Sequence, residues 1–150
     1  MNSSYTELRL EKSQPSLFRR LAAIVYDLIL LIALLFVFAG LWISITPSDS
    51  ALRLWGLRVI YIALPMIFYM YFWTSKGQTL GMTTWRLKLR SIDGKTPNLK
   101  QQFIRLVVAA ISALCLGLGY LWMLVDKNNL TWHDRISGTW LEQLPKPEKK

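Results

Sequence analysis

The chain has one cysteine, Cys115, and one histidine, His133, and half as many acids as bases: 9 Asp and Glu against 18 Lys and Arg. A lone cysteine excludes an intramolecular disulfide. In apolar surroundings it reads as a small packing residue. A lone histidine provides no His/Cys set of the kind that holds zinc, so no metal and no other cofactor is expected. His133 next to Asp134 suggests general base catalysis or a metal ligand, but no nucleophile or further ligand accompanies them, and an enzyme is not expected. The phosphate-binding pattern Gly-x-x-x-x-Gly-Lys-Ser/Thr is also missing, although Gly77-Gln78-Thr79-Leu80-Gly81 holds two glycines.

What the chain has is apolar residues in long runs. They make up 53% of its 150 residues, enough chain for one domain. Leu21–Ile45 carries one charge, Asp27; Leu54–Trp73 carries one, Arg58; Leu106–Val125 carries none. A bilayer core of about 30 Å takes roughly 20 residues of helix. Three helices apolar all round leave too little polar surface for a soluble bundle. The first run is longer than a signal-peptide core and has no small-x-small exit, so it reads as an uncleaved anchor. The expected fold is therefore an all-α membrane protein. It is a small bundle of three transmembrane helices, at about 21–45, 54–73 and 103–125, in one domain over 1–150.

The net charge of +9 invites two readings, nucleic-acid binding and membrane orientation. No nucleic-acid motif accompanies the charge, and its placement decides for the membrane. Arg9, Lys12, Arg19 and Arg20 precede the first run. Lys76, Arg86, Lys88, Arg90, Lys95 and Lys100 lie between the second and third. Lys127, Arg135, Lys146, Lys149 and Lys150 follow the third, whereas the loop from Thr46 to Arg53 has one Arg and one Asp. By the positive-inside rule the N-terminus and the middle loop are cytoplasmic. Three full spans would then place the basic tail, 126–150, outside. Gly117-Leu118-Gly119 is a candidate break that would make the third segment re-entrant and return the tail. Length favours a single span, charge favours re-entry, and the single span is the expectation.

The amphipathic loop, 76–101, holds Trp85-Arg86-Leu87-Lys88-Leu89-Arg90, which alternates apolar and basic with the period of a strand. Asp93-Gly94 follows as a turn. A short cytoplasmic β-hairpin is expected, its basic face either on anionic headgroups or in water. Trp42, Trp55, Trp73 and Trp122 lie near the expected helix ends, where indoles favour the headgroup layer. Pro65 is expected to kink the second helix.

Two charged sites remain. Asp27 follows Arg20 by seven residues, close to two turns, on nearly the same face and about 10 Å deeper. An unpaired charge at mid-bilayer costs at least about 2.5–3.5 kcal/mol, so Asp27 needs a partner, a proton or water. Arg20 and Arg105 are the candidate partners, and an Asp27–Arg105 contact would pin two helices together. Packing is weighted above a place on an ion path. Beyond the third run, Asp126, His133, Asp134 and Arg135 cluster, and Asp134 is expected to cap a turn or pair with a basic residue.

These blocks together resemble the RDD family of bacterial membrane proteins, from about Ser16 to Leu141. Phe18-Arg19-Arg20 through Tyr26-Asp27 looks like the family's arginine and first aspartate, at Arg20 and Asp27. Gly77-Gln78-Thr79-Leu80-Gly81-Met82 is similar to its Gly-x-Thr-x-Gly-Lys stretch, with Met82 where many members have Lys. Gly117-Leu118-Gly119-Tyr120-Leu121-Trp122 through Thr131-Trp132-His133-Asp134-Arg135-Ile136-Ser137-Gly138-Thr139 resembles the closing block, with Asp134 as the second aspartate. The resemblance marks Arg20, Asp27 and Asp134, and together with Arg105, the candidate partner above, they are the expected transport site or buried polar network. It also marks Gly77, Thr79, Gly81, Asp126, His133, Arg135, Gly138 and Thr139 as motif residues. It implies a bacterial inner-membrane protein moving ions or small solutes, of the cation/proton exchange type. Three helices hardly enclose a path, so a homo-oligomer in anionic lipid is expected, with a cation or proton as partner and no nucleic acid. The competing expectation is a non-transporting assembly or regulatory protein in which the same charges are structural.

Overall fold

A computed structural model describes residues 14–146; Arg9, Lys12, Lys149 and Lys150, counted above in the basic ends, lie outside them. Helix α1, Leu17–Ile45, and helix α2, Ala51–Ser75, are long and apolar enough to cross a membrane. Helix α1 starts before its apolar run and ends with it, and α2 extends past its run at both ends. Ser50 supplies the α2 N-cap by accepting from the Arg53 amide. Phe36, Val37 and Leu41 of α1 and Leu54, Ile62 and Ile67 of α2 are exposed, as lipid-facing side chains should be. Arg58 lies over the Trp55 ring at 5.0 Å. Pro65 removes one amide from the ladder, but α2 remains one helix through it.

A short helix α3, Leu80–Thr84, lies against α1, and strand β1, Leu87–Ser91, follows it. Helix α4, Leu99–Leu114, starts at a capping box in which the Asn98 and Gln101 side chains serve each other's amides. It has 16 residues, a length of about 24 Å, short of a bilayer core. The chain then breaks at Cys115–Gly117, where Leu116 and Gly117 take left-handed φ of 55° and 76°. Glycine suits that conformation. Helix α5, Leu118–Leu121, and a 3₁₀ turn, Trp122–Leu124, leave the break at 107° to α4.

The expected straight third span is therefore corrected to a bent pair, broken where the two glycines are. Two spans stand, or three if the pair counts as one. Cys115 is exposed at the break, not packed within a span.

Helix α6, Trp132–Ser137, packs on α4 and leads through Gly138 into strand β2, Thr139–Gln143. The expected local hairpin is corrected as well. Strand β1 pairs antiparallel with β2, Leu89 opposite Leu141 and Lys88 opposite Glu142. The Asp93-Gly94 turn forms, with the Gly94 amide donating to the Ser91 carbonyl at 2.9 Å, but it leads to α4 and not to a second strand. Residues 126–143 are thus part of the folded unit. They lie on the same side of the molecule as the 76–98 segment, the arrangement that the charge pattern favoured. Leu87, Leu89 and Leu141 point inward and form the core with Ala23, Trp73 and Met82. Trp73 is buried there, not in a headgroup belt; Trp55 and Trp122 are exposed.

Candidate functional site

Asp134 is the N3 residue of α6. Its amide donates to Thr131 Oγ1, and its carboxylate accepts from the Thr131 amide, which starts the helix with a capping box. That box aims the carboxylate back toward the bundle. There Arg20 Nη1 donates to Oδ2 and Arg105 Nη1 donates to Oδ1, both at 2.6 Å. Arg20 is the fourth residue of α1, 114 residues away in sequence. Arg105 comes from α4, lies over the Trp73 ring, and also donates to Thr139 Oγ1 at 2.7 Å. Ser137 Oγ bonds Thr139 Oγ1 in turn.

Asp134 is wholly buried and Arg20 is 2% exposed. Burial pushes the Asp134 carboxyl up, but the guanidiniums of Arg20 and Arg105 outweigh it and hold the group well below the usual carboxylate range. The neighbouring His133 goes the other way. Burial, then the Arg105 charge, push its imidazole down to about 3, so it is neutral at neutral pH.

Asp27 joins neither arginine. The expected Asp27–Arg105 contact, and the lean of Arg20 toward Asp27, are corrected: both arginines go to Asp134. Thr79 Oγ1 donates to Asp27 Oδ2 at 2.5 Å and the Gly81 amide donates to Oδ1 at 2.8 Å. The Thr79 hydroxyl also caps α3 by accepting from the Met82 amide. This corner presses against α1 so closely that a Cβ on residue 81 would sit 2.2 Å from the Ala23 carbonyl oxygen. Glycine is required there. Helical spacing gives the face of α1 on which Asp27 sits, but not which neighbour reaches that face.

The motif residues thus fall into three groups. Arg20, Arg105, Asp134 and Thr139 form one cluster with His133 beside it, and Asp27, Thr79 and Gly81 form the second. The third is peripheral. Arg135, exposed, donates to Asp126, whose carboxylate also accepts from the Asn128 and Leu130 amides. Gly77 and Gly138 serve through their backbone: the Gly77 carbonyl accepts from the Leu89 amide, and the Gly138 carbonyl from the Ile92 amide. Met82, where the family stretch has Lys, is a core side chain.

The first two groups open on one space. A cavity of about 420 Å³ lies between α1, α2 and α4, and Arg20, Asp27, Arg105 and His133 all line it. Tyr69, Trp73 and Tyr120 line it too, and sequence reasoning missed them. Aromatic residues at helical spacing look alike whether they face lipid or a cavity. Most of the wall is apolar, the usual make-up of a small-molecule site. Among the described residues, no group of three or more His, Cys, Asp or Glu side chains is placed to hold a metal ion.

Comparison with known proteins bears out the family. A family model described as the RDD family matches residues 14–138. No curated protein and no solved structure matches the chain.

Proposed function

The chain belongs to the RDD family, and from that premise we propose that it moves an ion or small solute across a bacterial cytoplasmic membrane in exchange with protons or cations. The observation that carries the reading is the cavity, which gathers Arg20, Asp27, Arg105 and His133 onto one space between the apolar helices. Intramembrane ionisable groups that line a cavity are the usual marks of a solute or proton path.

In this reading Asp27 is the exchanging group. Its partners are a hydroxyl and an amide, not a fixed cation. A proton on Asp27 needs only a turn of the Thr79 hydroxyl, which then accepts where it donated. Asp134, clamped by two guanidiniums, holds the frame. The cavity's polar groups lie at the end that carries the basic residues of the middle segment, Arg86 and Lys88 among them. That end is placed in the cytoplasm by the positive-inside rule, against anionic headgroups. The apolar outer faces of α1 and α2 provide the contact for a homo-oligomer. No enzymatic step is part of the reading.

The test is a flux assay on purified protein in liposomes loaded with a pH dye. Asp27→Asn should lower cation-driven proton flux at least about tenfold, the equivalent of about 1.4 kcal/mol or more. Flux equal to wild type would remove Asp27 from the path. Native mass spectrometry should find more than one copy per particle.

One observation favours a second reading, an assembly or regulatory protein without transport. Arg20, Arg105 and Asp134 are bonded among themselves, and Arg20–Asp134 ties the first helix to the last. If that reading holds, replacing Arg86, Lys88 and Arg90 abolishes the cellular phenotype and Asp27→Asn does not.

A further inference from the structure

Among the described residues, three side chains that line the cavity have a buried polar atom without a hydrogen-bond partner. They are Arg20, at Nε and Nη2; Trp73, at Nε1; and His133, at Nδ1. Buried N–H groups without an acceptor are rare in native proteins. Arginine and tryptophan offer only donors, and a neutral histidine nitrogen donates in one of its two tautomers. What is missing is therefore an acceptor. Two arginines share a single carboxylate, Asp134, at this end of the cavity, so the acceptor that completes the charge is an anion. Asp27 lines the same cavity but does not reach these donors: its bonds go to the Thr79–Gly81 corner and to neither arginine.

The shape of the free donors narrows the anion. Arg20 uses Nη1 for Asp134. Nε and Nη2, left over, form the parallel-donor edge of the guanidinium plane, which matches the two oxygens of a carboxylate. From this end the wall along α1 is Ile24, Leu28 and Leu31, apolar apart from Asp27, which is turned to the Thr79–Gly81 corner; Leu31 is 11 residues from Arg20 and so about 16 Å further on. Leu21 and Leu28 line the cavity and are also 42% and 43% exposed on the outer face of α1. The side wall is shared with the surface that lipid covers.

We propose that the cavity binds a single-chain amphiphilic carboxylate of the fatty-acid type, taken from the bilayer. Its carboxylate lies on Arg20 Nε and Nη2 with Trp73 Nε1, and its chain lies along α1. This names the solute class of the transport reading, and it takes from that reading only that the cavity is the binding site.

The experiment is equilibrium binding of radiolabelled dodecanoate to the purified full chain in a neutral detergent, with dodecanol and acetate as competitors. The expected result is saturable binding that dodecanol and acetate displace poorly. Trp73→Phe keeps the ring beside Arg105 and removes the N–H; it should weaken binding about tenfold, as loss of a hydrogen bond to a charged group does. Ala109→Phe, which fills the cavity from α4, should abolish it. An unchanged unfolding temperature shows that each variant is folded.

Dodecanol competing as well as dodecanoate would overturn the carboxylate, and acetate competing as well would overturn the amphiphile. Wild-type binding by both variants would overturn the site. Dodecanoate binding without flux in liposomes supports this inference and removes transport. Cation flux without dodecanoate binding does the reverse.

Discussion

Asp27 and Asp134 are two carboxylates in nearly equal seclusion, 2% and 0% exposed, yet they are held by opposite means. Asp134 is gripped by two full positive charges. Asp27 is held by a hydroxyl and an amide, dipoles that stabilise the anion but do not demand it. A buried charge between charges is a fixture, because removing one member leaves the others uncompensated. A buried charge among dipoles is replaceable, because a hydroxyl serves as donor or acceptor. One membrane domain thus contains a lock, whose two arginines line the cavity, and on the same cavity wall a group free to change state.

The largest effect that tests this contrast comes from Asp134→Asn. It leaves Arg20 and Arg105 buried without an acid and should cost about 3–5 kcal/mol, seen as failure to accumulate or as a large fall in unfolding temperature in detergent. Asp27→Asn keeps one acceptor oxygen and should cost only about 1–2 kcal/mol. Equal losses at the two sites would end the distinction between them. Gly81→Ala comes next. Its Cβ cannot stand 2.2 Å from the Ala23 carbonyl, so the corner must lift away from Asp27, at about 1–3 kcal/mol. Gly81→Ala should therefore lower proton flux along with stability, even though residue 81 carries no charge.

The reach of these two changes bears on what sequence reasoning can see. Arg20, Asp27, Arg105 and Asp134 were all legible, as charges in or beside apolar runs. The break at Gly117 was legible as glycine, and β1 as an alternation. The pairings were not. Two helices' hydrophobic faces do not fix their rotation about each other, so the arithmetic that put Arg20 above Asp27 said nothing of Asp134 arriving from 114 residues away. Strand β1 likewise finds its partner 48 or more residues downstream, at β2. An alternating pattern records only that one face is covered. Trp73 shows the same limit from the other side, since an indole near a helix end reads as a headgroup anchor until a cavity is seen beside it.

A smaller effect comes from acid. His133 is held neutral, with its imidazole pushed down to about 3 from an ordinary value near 6.5. The unfolded chain therefore takes up this proton first. Stability is full above about pH 6.5 and falls as the pH drops from there toward 3. His133→Gln should flatten that slope in unfolding curves taken between pH 7 and about pH 5, where Asp134 stays ionised and does not contribute. An identical slope in the variant would assign it to another group. The smallest effect is expected at Arg90→Ala. The Arg90–Glu142 bridge across the ribbon is 2.7 Å long, but its side chains are 23% and 10% exposed. Its loss should cost about 1 kcal/mol or less. A loss as large as that of Asp134→Asn would mean that the ribbon, not the cavity, holds the fold.

The ion pair between Arg20 and Asp134 also sets an order of events during synthesis. Arg20 enters the membrane with the first helix, while its acid has yet to be translated. Until α6 emerges, the two guanidiniums have only water and headgroups as partners, and α1 lacks its tie to the end of the chain. The last helix and strand then close the first helix in place. A chain cut short before residue 134 lacks the acid of this pair, and its first helix has no latch.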